Sequence, residues 1–77
     1  MTDKAAIEAL ARETSWHITQ SENYITFKLG WFDPGPAVTV RWNPDGSVQG
    51  AEVTDGDGEP MAEVHTNVVA WVRDQVL

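Results

Sequence analysis

The sequence predicts a small two-layer α+β domain, a four-stranded antiparallel meander with N- and C-terminal helices packed on one face in the order α-β-β-β-β-α. Three observations lead there. Apolar residues recur at helical spacing near both ends, the middle alternates apolar and polar with period two, and clusters of turn-forming residues cut that middle into strands.

The first helix is expected over Lys4 to Glu13, with Thr2 or Asp3 as N-cap and alanines supplying propensity. Its apolar stripe is Ala6, Ile7, Leu10 and Ala11. Two strands follow, from Trp16 to Gln20 and from Ile25 to Trp31, joined by a turn at Ser21-Glu22-Asn23. Pairing Ser21 with Tyr24 sets Ile18 opposite Phe27 and Trp16 opposite Leu29, which keeps the large apolar residues together. A one-residue slip would bring Trp16 beside Lys28.

Asn43-Pro44-Asp45-Gly46 carries Pro at the second position of a type I turn and Gly where a left-handed residue follows. It joins Val38–Trp42 to Ser47–Val53. Setting Trp42 against Val48 places Val40 opposite Gly50, and the change of apolar parity at Ala51 and Val53 suggests a bulge near Gly50-Ala51. Asp55-Gly56-Asp57-Gly58-Glu59-Pro60 is read as a break before a helix from Met61 to Leu77, whose stripe is Met61, Val64, Val68, Trp71, Val72 and Val76. The buried face then comprises Trp16, Ile18, Ile25, Phe27, Leu29, Trp31, Val38, Val40, Trp42 and Val48.

The 77 residues suffice for one domain, 1–77, with no internal repeat or dividing linker. No cysteine is present, so neither a disulfide framework nor a thiolate metal site is available, and four tryptophans supply apolar area instead. No apolar run reaches bilayer length, and Met1-Thr2-Asp3-Lys4 lacks the pattern of a signal peptide; a cytoplasmic protein is the expectation. Five Lys and Arg against twelve Asp and Glu give a formal charge of −7, which disfavours direct contact with nucleic acid or an anionic membrane. Between Arg41 and Arg73 there is no basic residue, while Asp45, Glu52, Asp55, Asp57, Glu59 and Glu63 all fall there.

Little in the chain points to catalysis or to a cofactor. Asp55-Gly56-Asp57-Gly58-Glu59 begins like a calcium loop, but Pro60 stands where the turn glycine belongs and Thr66 where the bidentate glutamate belongs. His17 and His65 have no second histidine or cysteine at ligand spacing; His65 reads as the edge of the buried helical stripe and His17 as a sheet-surface residue. No serine sits in a nucleophile elbow, and Gly56 and Gly58 are flanked by acids that would repel a phosphate.

Two surfaces stand out as places for a partner protein. If both helices cover one face, the other carries His17, Thr19, Thr26, Lys28, Thr39, Arg41, Gln49 and Ala51. Placing Leu29 beside Val40 would set Lys28 opposite Arg41, with His17 on the other side of Lys28, as a basic strip suited to an anionic partner. Alternatively, these long side chains simply solvate the sheet.

The second surface is Phe32. With Trp31 directed inward, Phe32 emerges beside Asp33-Pro34-Gly35-Pro36, where two prolines restrict the loop and lower the cost of presenting an aromatic anchor. Phe32 could equally fold back over the core.

The expected function is a non-enzymatic protein-binding module: a regulator, inhibitor or accessory factor, using Phe32, Asp33, Pro34, Lys28, Arg41 and His17. The usage of Ala, Val, Asp, Gly and Trp resembles that of high-GC actinobacteria and their phages, so a phage-encoded factor is one expected form. Two alternatives are an acidic decoy that mimics nucleic acid, and a homodimer joined through edge strands beginning near Trp16 and Val48.

Overall fold

The structure, a computed structural model, describes residues 2–30 and 35–77. Helix α1 (Asp3–Glu13) is followed by strands β1 (His17–Gln20), β2 (Tyr24–Lys28), β3 (Ala37–Trp42), β4 (Val48–Thr54) and β5 (Pro60–Val64), then helix α2 (Val68–Val76). The α+β class and the antiparallel sheet are as the sequence predicts, but the sheet has five strands, in the order β1-β2-β3-β4-β5.

Helix α1 starts where the Thr2 side chain accepts a hydrogen bond from the Ala5 amide, satisfying one of the orphan donors of the first turn. A second, Lys4 N–H, donates to Gly46 O and fastens the helix to the β3–β4 turn. Ile7 and Leu10 enter the core, with Ala11 packed at its border. Thr14 turns the chain out of the helix; its hydroxyl donates to Val76 O and accepts from Trp16 N–H, tying the end of α1 to the end of α2.

The first hairpin has the expected register, Ile18 opposite Phe27 and His17 opposite Lys28, closed by Ser21 N–H to Tyr24 O. The β2–β3 register differs from expectation. Ile25 lies opposite Val40 and Lys28 opposite Ala37, so Arg41 faces Tyr24 rather than Lys28. The reason is local: Gly30, at φ 78°, ends the second strand early, and Leu29 is left 47% exposed instead of entering the core. The Phe32, Asp33 and Pro34 site and the inward course of Trp31 lie outside the described residues.

The Asn43–Gly46 turn forms as expected, with Asn43 N–H donating to Ser47 O, Gly46 N–H to Asn43 O, and Gly46 at φ 89°. Trp42 faces Val48, but the irregularity lies one step earlier than expected, so Arg41 faces Gly50 and Val40 faces Ala51. That shift carries Ala51 from the open face into the core, where it is 2% exposed, and puts Glu52 on the open face in its place.

The largest departure is β5. Asp55–Glu59 is not a break before a helix but a second hairpin turn with the same bonding as the first: Asp55 N–H to Glu59 O, Gly58 N–H to Asp55 O, and Gly58 at φ 82°. Pro60 therefore opens an edge strand, a position that asks no amide of it, rather than a helix. Met61 is 67% exposed and not part of a buried stripe. The last helix is confined to Val68–Val76, with Val68, Val72 and Val76 buried, and begins after Asn67 at φ 51°. Because β5 pairs with β4, the strand carrying Val48 is internal, and the sheet's edges are β1 and β5.

One core joins Ile7 and Leu10 of α1, Val68, Val72 and Val76 of α2, and Ile25, Phe27, Val38, Val40, Trp42 and Ala51 of the sheet. Both helices thus pack on the sheet face that bears these strand residues. Trp42 stitches the layers: its indole N–H donates to Glu22 O at 2.6 Å, its amide donates to Asn23 O at 2.9 Å, and Lys4 Nζ lies 5.3 Å from its ring centroid. Ile18 shares this face but, on an edge strand, stays 36% exposed.

Candidate protein-interaction surface

The strand registers define the opposite face. One cross-strand row runs through all five strands as Thr19, Thr26, Thr39, Glu52 and Glu63. A row on one side of it is His17, Lys28, Ala37 and Thr54; on the other side Tyr24, Arg41 and Gly50 stand in line. The row begins with three hydroxyls, two of which, Thr26 Oγ1 and Thr39 Oγ1, meet at 3.3 Å, and ends in two carboxylates. Charge is therefore sorted across the sheet, with His17 and Lys28 toward β1 and β2 and the acids toward β4 and β5.

Of the residues expected to form a basic strip, His17 and Lys28 are neighbours. Arg41 does not join them: it lies four residues along β3 from Ala37, the partner of Lys28, a separation of about 13 Å. Arg41 instead forms an ion pair with Glu52, NH2 to Oε1 at 3.1 Å. The expected strip is thereby divided, with His17 and Lys28 paired at one place and Arg41 bound to Glu52 at another.

A cluster that sequence reasoning missed lies at the acidic end. Glu52 and Glu63 stand directly opposite each other. Like charges so placed are mutually destabilising, with Cβ atoms about 4.5–5.5 Å apart. Glu52 is answered by Arg41, whereas Glu63 meets His65 Nε2 at 3.2 Å, a full ion pair only when the ring is protonated.

His65 is not on the helix; it follows β5, exposed, and lies over Gly50 with Nδ1 3.2 Å from Gln49 O. A Cβ on Gly50 would stand 2.8 Å from that nitrogen and 2.9 Å from Val64 O, so this glycine makes room for the crossing. Arg41, Gln49, Gly50, Ala51, Glu63 and His65 line a depression of about 80 Å³. That is well below the roughly 300–1,000 Å³ of small-molecule pockets. The cluster was hidden because positions 63 and 65 diverge on a helix but share a side in extended chain.

The acidic turns spend part of their charge on themselves. Asp45 Oδ1 accepts from the Ser47 hydroxyl at 2.6 Å and its amide at 2.9 Å, which holds the Asp45 carboxyl below its ordinary range. Asp55 Oδ1 likewise accepts from the amides of Asp57 and Glu59. Among the described residues no group of three or more His, Asp or Glu converges as a metal site would, and no helix is long and apolar enough to cross a membrane.

No protein family model, curated protein or solved structure matches the chain.

Proposed function

We propose that the protein is a small acidic, cytoplasmic, non-enzymatic binding module that acts as a regulator, inhibitor or accessory factor by docking the polar face of its sheet on another protein. The observation that carries this reading is the one-sidedness of the sheet. Both helices serve a single face, and the other presents a row that runs from the hydroxyl of Thr19 to the carboxylate of Glu63 on hydrogen-bonded strands. A hydrogen-bonded sheet presents its side chains in fixed positions, so docking there orders little that is not already ordered.

The test compares baits. Thr39→Arg puts a bulky charge at the centre of the face, and Gln75→Arg puts the same charge on the exposed side of α2. A partner captured from the source cells by the wild type and by Gln75→Arg, but lost by Thr39→Arg at unchanged thermal stability, supports the reading. Equal capture by both variants removes this face from the contact.

A second reading, an acidic decoy for a nucleic-acid-binding protein, is favoured by the continuity of Glu52, Asp55, Asp57, Glu59 and Glu63 along β4, its turn and β5. Binding of that kind weakens steeply with salt, and it ends if amide substitutions at these positions leave binding intact.

A further inference from the structure

Resting on the protein-binding reading, we infer that the outer edge of β5 receives an extended, basic segment of the partner as a sixth strand. Among the described residues β5 has β4 as its one neighbour in the sheet, which leaves its other side as an edge for a further ladder. Pro60 and the shift of register between Val53 and Thr54 shorten that edge from one end and leave Met61 to Val64 to pair.

The charge pattern selects the occupant. Glu63 already faces Glu52 on one side, and Arg41 is committed to Glu52. A Lys or Arg on an added strand, directly across from Glu63 on its other side, would turn a repulsive cross-strand arrangement into an attractive one. Glu59 and the Asp55–Gly58 turn extend the same negative field beyond the strand end, where it steers an approaching cation. Exposed Met61 offers apolar surface to the methylene stem of such a side chain.

The same charges argue against a second copy here. Self-pairing of β5 would bring Glu59 and Glu63 of two chains, each of formal charge −7, against one another.

The experiment titrates the labelled full chain with a short peptide alternating Val and Lys, and with its counterpart in which Glu replaces Lys, and follows backbone amides by NMR. For the Lys peptide, shifts are expected from Met61 to Val64 and added exchange protection at Glu63, whose amide faces away from β4, with affinity falling as salt rises; the Glu peptide should leave these amides unmoved. Glu63→Lys should weaken the Lys peptide about tenfold and admit the Glu peptide. Glu63→Gln, which removes the charge and keeps the backbone amides, is a second variant and should weaken the Lys peptide by a smaller factor than Glu63→Lys.

Shifts confined to β1 or to the threonine row, or equal affinity for wild type and Glu63→Lys, would overturn the inference. If Glu63→Lys keeps the cellular partner that Thr39→Arg loses, the edge assignment fails while the binding module stands; if Thr39→Arg keeps the partner that Glu63→Lys loses, the edge stands and the face does not.

Discussion

Trp42→Phe probes the joint on which the sheet and its first turn depend. Trp42 is 2% exposed and its indole N–H reaches Glu22 O at 2.6 Å, a bond that phenylalanine cannot make. Losing it costs about 0.5–1.5 kcal/mol. The smaller ring also leaves space in a core that cannot fully close around it, which adds about 1–2 kcal/mol on the scale of large-to-small substitutions. The Lys4 contact contributes little to the difference, since a phenyl ring still offers a face to the ammonium.

A total of about 1.5–3.5 kcal/mol is a large part of the roughly 4–12 kcal/mol that a chain of this length commands. The melting temperature should fall by roughly 6 to 28 °C. Far-UV circular dichroism during thermal and urea unfolding is the suitable readout, because tryptophan fluorescence would change with the substitution itself. Trp16→Phe, at the partly buried border of the core, should cost distinctly less. A Trp42→Phe penalty no greater than that of Trp16→Phe would refute the reasoning.

Two further outcomes follow from the turns and the bulge. Gly50→Ala should destabilise by about 1–3 kcal/mol, because its Cβ would meet backbone Val64 O at 2.9 Å as well as the His65 ring, whereas Gly56→Ala, with nothing within 4 Å, should be neutral or slightly stabilising; urea midpoints compare them directly. Asp45, whose carboxyl is held low first by the Ser47 hydroxyl and then by the Ser47 amide, adds stability that is present above the ordinary carboxylate value near 3.8 and is lost as pH falls through its lower folded value. The penalty of Asp45→Asn should therefore be largest near neutrality and shrink in acid, and a penalty independent of pH would contradict that origin.

The parts of the fold that were legible in the chain are those where one local rule had no rival. Alternation from Trp16 through Phe27 admits a single register that keeps Ile18, Ile25 and Phe27 together, and Asn43-Pro44-Asp45-Gly46 has the chemistry of one turn. The β4–β5 hairpin was misread although Asp57-Gly58 is a turn signal of the same kind, because Met61, Val64 and Val68 happen to satisfy a helical spacing as well as a strand followed by a helix. The error propagated to the site: with residues 61–65 taken as helical, Glu52 had no visible neighbour on its second side and the Glu63, His65 and Gly50 cluster could not be assembled. The basic strip failed for a different reason. Its register assumed that Leu29 stays in the strand, whereas the left-handed Gly30 releases it.

The bond from Thr14 to Val76 spans 62 positions, and the core needs Val68, Val72 and Val76 beside Ile7 and Leu10. During synthesis the opening helix can reach Gly46 and Trp42 once β3 and its turn have left the ribosome, but the valines of α2 that complete its cover come last. Removing the last turn of α2 would therefore unseat the first helix as well, although the two stand at opposite ends of the sequence.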